Sequence, residues 1–305
     1  MESFMQNIKQ ELKDTLRAYF IVPHLYEQGM ACVEEKLRES MLFSRMTVLH
    51  YRAFWGTGNE IYRPAAAIEL MILSLDIIDD LQDKDNKAML WNQLSPEIAL
   101  NIALGLLTLS QQMLMTSDFA PDRLVAAVRL MNEQVLSAIN GQTTDLLNDI
   151  SSEEDYIQMV KQKSAGLLVT ACLIGTLLAT GEYNSEVREY AEQLGIAAQI
   201  KNDIHDLVDW ENKSDFWNRK KTLPTLYLIH SLTEEQKWIS DYFEERLSLE
   251  EVVHRREEIQ RIIEQSGTIL YTSVRMRTHY YNYLDLVESM VISANWKKQI
   301  LAMAD

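Results

Sequence analysis

The run SAGLLVTACLIGTLLATG, from Ser164 to Gly181, leaves this chain few ways to fold, because it holds 18 residues without a charge. That length is at the short end for a membrane span. Its small residues, Gly166 and Gly175 among them, suit close packing against neighbouring helices, and no other segment matches it. The expectation is a buried central helix inside a large helical bundle.

The rest of the chain agrees with that reading. Only 10 glycines and 5 prolines punctuate 305 residues, and the hydrophobic share of 47% can fill a large core. Apolar periodicity predicts helices near 3–20, 27–42, 64–83, 97–115, 122–149, 153–180, 185–209, 223–230, 233–246, 248–265 and 269–285. Pro64 and Pro96 suit first-turn positions, where a missing N–H costs nothing. There are no candidate strands and no linker-like stretch, so an all-α fold in one domain over 1–305 is expected.

A net charge of −16 disfavours nucleic acid as a partner. Cys32 and Cys172 fit a reducing compartment, and the start, MESFMQNIKQELKDTLRAYF, lacks the apolar stretch of a secretory signal. A cytoplasmic place is expected, with peripheral association at a membrane left open.

Two acidic constellations carry the chemistry. In LDIIDDLQDKDN, Asp79 and Asp83 lie four apart and share a helix face, with Asp80 beside them. Two carboxylates about 4 Å apart repel by roughly 4 kcal/mol at an effective dielectric near 20, so a cation would relieve them. All-oxygen ligands suit Mg²⁺, which keeps waters and bridges to phosphates. Taken alone, the run fits a solvated acidic helix end equally well. The second constellation, QIKNDIHD, sets Asn202 and Asp206 four apart, with Asp203 adjoining and Gln199 one turn earlier. A diphosphate held by such helices also needs cations, and Lys163 and the run Arg219-Lys220-Lys221 are candidates.

Together these residues resemble the trans-isoprenyl diphosphate synthase family. DDLQD (79–83) resembles its first aspartate-rich motif, GQTTDL (141–146) its GQxxDL, and KSAGL (163–167) its KTxxL. QIKNDIHD (199–206) resembles FQxxDDxxD, and KKTLP (220–224) resembles GKxTLP. The resemblance implies an isoprenoid-synthase-type helical bundle around a central cavity, with two facing aspartate-rich helices. It implies two or three Mg²⁺ ions bound with an allylic diphosphate, and metal ligation or its support by Asp79, Asp80, Asp83, Asn202, Asp203 and Asp206. Lys163, Lys220 and Arg63 would hold the diphosphate. Ser164 and Gln199 would turn oxygen dipoles toward the allylic cation, Asp145 would lie nearby, and Ser74 and Leu75 would bear on cavity depth. The family's homodimer is expected as well.

The departures from the pattern are as informative. The family's GGKxxR, which serves a second substrate, isopentenyl diphosphate, aligns with Gly58-Asn59-Glu60-Ile61-Tyr62-Arg63, so a lysine has become Glu60. The His/Gln position is Ile72, the arginine pair is Ala88-Met89, and the second motif opens with Asn202. Each lost charge-assisted hydrogen bond is worth about 1.5–3 kcal/mol. The pattern looks closest to isoprenyltransferases that modify a pheromone precursor peptide. It implies transfer of a geranyl to geranylgeranyl group to indole C3 of a tryptophan in a ComX-like peptide, with ring closure. The stretch YTSVRMRTHYYNYL (271–284) could dock the peptide or pack internally. Alternatives are a chain-elongating synthase or its regulatory subunit, and a class I terpene cyclase. The last wants Ser or Thr at 206 and Glu at 210, where this chain has Asp206 and Trp210.

Overall fold

A computed structural model describes residues 2–84, 86–209 and 215–303; Trp210 lies outside them. Every regular element among the described residues is helical, as expected. In chain order they are α1 (Glu2–Tyr19), α2 (Pro23–Lys36), α3 (Leu42–Ala53), α4 (Tyr62–Asp83), α5 (Pro96–Met115), α6 (Pro121–Leu147), α7 (Glu153–Val160) and α8 (Gly166–Thr180). There follow α9 (Ser185–Val208), α10 (Leu223–His230), α11 (Trp238–Phe243), α12 (Leu249–Val252), α13 (Arg256–Gln265), α14 (Thr268–Ser289) and α15 (Ala294–Leu301). A π-helical turn, Lys161–Ala165, joins α7 to α8. Pro64 and Pro96 fall in the first turns of α4 and α5.

The described chain divides into two compact units. One comprises residues 1–137, 166–191 and 286–305, the other 138–165 and 192–285. In the first, α8 is the buried helix that the uncharged run foretells, with Leu168 through Leu178 all buried. It packs on α3 through Gly175, where a Cβ would stand 2.2 Å from the carbonyl oxygen of Thr47. Any side chain there would drive the two helices apart. Gly181, with φ +82, then ends α8 by donating its N–H to the Leu177 carbonyl at 2.7 Å.

α3 itself is absent from the sequence reading, which runs one helix over 27–42. No residue of LFSRMTVLHYRA is exposed: Leu42, Phe43, Arg45, Val48 and Arg52 are half-buried and its other residues are buried. A second correction concerns α5, which also has the length and apolarity to cross a membrane, so the 164–181 run is not alone in that respect. The most apolar window of α7–α8 is 72% buried, against 44% for α5.

The second unit has two cores. Tyr156, Met159, Ala165, Ile196, Ile200 and Leu223 build one, and Phe216, Leu228, Tyr242 and Ile259 anchor the other. Much of 271–284 serves this packing: Tyr271 stacks on Tyr227 at 4.3 Å, Arg275 bonds Glu153 at 2.5 Å, and Tyr283 is fully buried. Tyr281 remains exposed.

Candidate active site

In the first unit, α4 delivers its carboxylates at a helix C-terminus, where the backbone dipole is already negative and the last turn carries no basic residue. The helix sorts them by face. Asp80 turns inward and is only 5% exposed; its Oδ1 accepts from Asn86 Nδ2 at 2.6 Å and its Oδ2 from Trp91 Nε1 at 2.7 Å. Asp76, one turn earlier on that side, takes Lys36 Nζ at 2.9 Å, and Glu39 takes the same ammonium at 2.7 Å. Asp79 and Asp83 form the other row and are partly exposed. Among the described residues no three His, Cys, Asp or Glu side chains converge into a closed metal cage. That donor set suits Mg²⁺, which takes one or two carboxylates, several waters and the substrate's phosphates.

In the second unit, α9 presents Asn202 on its exposed side, Asp206 half-buried, and Asp203 at 4% exposure. Asp203 Oδ2 accepts from the Tyr156 hydroxyl at 2.6 Å and Oδ1 from Gln199 Nε2 at 2.7 Å. Burial raises its pKa to about 6, against the opposing pull of those two hydrogen bonds. Burial first, then the Asp203 charge, keeps the Tyr156 phenol protonated and able to donate. His205 Nδ1 stands 3.4 Å from Asp206 Oδ1.

The two lysines of the sequence reading meet on one carboxylate. Asp145 Oδ2, on α6, receives Lys163 Nζ at 2.7 Å and Lys220 Nζ at 3.1 Å. Burial works against the Asp145 charge, but the ammonium groups, Lys163 foremost, outweigh it and hold the carboxyl below its usual range. Lys163 and Ser164 sit in the π turn, a feature that recurs at functional sites. Gly141 admits that turn: a Cβ there would lie 2.4 Å from the Lys163 nitrogen. Lys220 is set by its neighbours, since Asn148 Nδ2 donates to the Arg219 carbonyl and Asn148 Oδ1 accepts from the Lys221 N–H, each at 2.8 Å. Arg219, at φ +53, is pinned over the Tyr242 ring at 4.4 Å.

Replacing Lys220 with Ala should therefore slow prenyl transfer about 30-fold, the equivalent of one charge-assisted hydrogen bond of ~2 kcal/mol. Lys163 still neutralises Asp145 in that variant, so the unfolding midpoint should fall by only a few degrees. Steady-state kinetics beside thermal denaturation checks both.

Other expected residues are placed differently. The Arg63 guanidinium bonds Glu11 at 2.9 Å and the Thr116 hydroxyl at 3.0 Å, so it is engaged in packing. Ser74 is fully buried and donates to the Ala103 carbonyl at 2.7 Å, fixing α4 on α5, while Leu75 beside it is partly exposed. Glu60 accepts from the Tyr51 hydroxyl, and Ile72 lies in the core. Asn148 and Tyr156 escape sequence reasoning because each bonds a group distant in sequence, while Asn86 and Trp91 reach Asp80 through the shape of the loop that follows α4. The buried tyrosine and tryptophan, which require acceptors, were the available signal.

The polyprenyl synthetase family matches residues 36–261. Over 295 residues the chain is 32% identical to the tryptophan prenyltransferase ComQ of Bacillus subtilis subsp. natto (strain BEST195), covering 96% of this chain and 90% of that protein. A crystal structure of a geranylgeranyl pyrophosphate synthase superposes with a TM-score of 0.86 at 20% identity, covering 99% of this chain and 96% of that one. A polyprenyl synthase from Caulobacter crescentus CB15, crystallised with calcium and isoprenyl diphosphate, gives 0.81 at 19% identity over 99% and 93%. The two structures speak for the fold. Family match and close sequence relative together settle the assignment: this chain belongs to the polyprenyl synthetase family and is a prenyltransferase.

Proposed function

We propose that the protein ionises an allylic prenyl diphosphate with Mg²⁺ and passes the prenyl group to a tryptophan of a precursor peptide. The observation that carries this reading is Glu60. Where the family's second-substrate site calls for lysine, this chain has a carboxylate, and the Tyr51 hydroxyl fixes it there by a short hydrogen bond. Burial, then Glu60 itself, raises the Tyr51 pKa to about 12, so the phenol keeps its proton and donates it to Glu60. A second diphosphate would meet repulsion where it needs a cation. Indole is neutral and electron-rich and needs no such cation. Similarity to the tryptophan prenyltransferase ComQ supports the same acceptor.

Asp79 and Asp83 on α4, and separately Asp206 beside Asp203 on α9, would each offer carboxylates to Mg²⁺, which supplies charge neutralisation at the departing diphosphate. Lys163 and Lys220 exchange a shared carboxylate, Asp145, for the more highly charged diphosphate. Gln199 donates its amide N–H to Asp203, so its carbonyl oxygen is the end that bears on positive charge. In the transfer, the allylic C–O bond breaks as indole C3 bonds to the allylic carbon, and the diphosphate leaves. The peptide's backbone nitrogen then adds to C2 and gives up its proton. The exposed apolar row Leu100, Leu104 and Met115 on α5 supports a homodimer. The buried free thiols of Cys32 and Cys172 support a cytoplasmic enzyme, with peripheral membrane contact through its lipid-tailed substrate.

The test offers Mg²⁺, geranyl, farnesyl or geranylgeranyl diphosphate, and either isopentenyl diphosphate or a tryptophan-containing peptide. The expected result is a peptide heavier by one prenyl group and no elongated diphosphate. Elongated product without a peptide adduct would overturn the reading in favour of a chain-elongating synthase.

A further inference from the structure

The ten residues that follow the first aspartate motif, where relatives with a second diphosphate site place their arginine pair, have another use in this chain. α4 ends in a left-handed residue, Lys84 at φ +58, whose N–H returns to the Asp80 carbonyl at 2.9 Å. Asn86, at φ +47, is left-handed as well. Such backbone at non-glycine residues costs of order 1 kcal/mol each and persists only where the surroundings over-determine it. Here they do. Met89 N–H bonds the Asn86 carbonyl at 2.8 Å, Asn92 Nδ2 bonds the same oxygen at 3.1 Å, and Gln93 Nε2 bonds the Ala88 carbonyl at 3.0 Å.

All of this converges on Asp80. One carboxylate oxygen takes Asn86, the other takes Trp91, and the main-chain oxygen takes Lys84. Trp91 is 1% exposed, and an indole N–H can only donate, so it must find an acceptor in the interior. Asp80 is that acceptor. Asn86 and Trp91 are neutral donors to the two carboxylate oxygens, and the Lys84 N–H holds the main-chain oxygen.

We propose that Trp91 and Asn86 are positioning residues: they latch Asp80 so that the last turn of α4 holds Asp79 and Asp83 in register for Mg²⁺ and diphosphate. The inference rests on the Mg²⁺-dependent reading above. Asp80 then acts through the latch, and the segment that gave up the arginines has become the brace of the remaining metal motif. Partners of this kind, one bond removed from a metal, typically change its affinity 10- to 100-fold.

Two measurements test it, one free of metal. In the metal-free protein, W91F and N86A should each speed amide exchange of peptides covering the end of α4 and the loop to Gln93, leaving α8 unchanged. Unchanged exchange at α4 would overturn the latch. By calorimetry with inorganic diphosphate, W91F should raise the Mg²⁺ concentration for half-maximal binding about tenfold, with the binding stoichiometry kept. A purely structural defect would instead lower the stoichiometry. In the double variant D80N/W91F the shift should be no larger than in D80N alone. Additive shifts would make Asp80 a ligand in its own right and sink the proposal. Absence of Mg²⁺-dependent diphosphate binding in the unaltered protein would overturn the functional reading beneath it, an outcome distinct from a failed latch.

Discussion

Asp83→Asn and Asp79→Asn should each lower prenyl transfer about a thousandfold, in the range of losing a preorganised electrostatic contact to a developing charge. The protein should remain folded, with an unfolding midpoint unchanged or slightly raised. Both expectations come from the same geometry. These carboxylates end α4, at the negative pole of the helix and beside a third acid, with no basic residue in the last turn. Each like-charge or dipole conflict removed is worth about 0.3–1 kcal/mol in favour of the fold. The carboxylates proposed to bind Mg²⁺ therefore stand where the helix dipole opposes them. Activity retained in either variant would remove the metal role, and activity lost together with folding would make the motif structural. Turnover of a prenyl diphosphate with peptide acceptor, read beside the melting curve, separates the three outcomes.

How much of this is legible in the sequence depends on the kind of interaction involved. The acidic motifs stand out because like charges at helical spacing are rare without cause, whereas Lys163 and Lys220 stand out only through the family motifs around them. α3 is not read, although Arg45 and Arg52, seven residues apart on its half-buried side, were a signal for it. α15 escapes although Ser293 caps it, its side chain accepting from the Trp296 N–H at 3.5 Å; the helix is short and the cap is its one signal. The π turn at Lys161–Ala165 is missed, because the sequence reading runs one helix over 153–180. Partners joined across long sequence separation, such as Tyr156 with Asp203, leave no local trace at all. For Arg63 the motif is readable, while its partners Glu11 and Thr116 are not.

Asp203→Asn should cost activity about a hundredfold and yet stabilise the metal-free protein at neutral pH. The folded carboxyl has a pKa of about 6, raised chiefly by burial, against roughly 3.9 in the unfolded chain. Below about pH 4 both states carry the proton and the group contributes nothing. As pH rises from there to 6 the unfolded chain has released its proton while the folded protein retains it. Stability therefore falls with pH across this window, by ~3 kcal/mol in all, and stays lower above it. The amide of the variant cannot titrate, so stability should not fall there. That amide can still accept from Gln199 and donate to a reoriented Tyr156 hydroxyl, so the packing is kept. Asp145 works in the opposite direction, because Lys163 and Lys220 overcome its burial and lower its pKa. Its contribution is present above the unfolded value and is lost only as acid passes the folded one, below about pH 4. The two windows do not overlap, and urea denaturation at pH 4, 5, 6 and 7.5 reads the Asp203 window alone, because that of Asp145 lies below it. Parallel curves for the two proteins from pH 4 to 7.5 would show that Asp203 titrates as an ordinary carboxylate. A widening gap in favour of the amide variant would show that the fold bears the cost of an ionised Asp203 until a cation arrives to offset it.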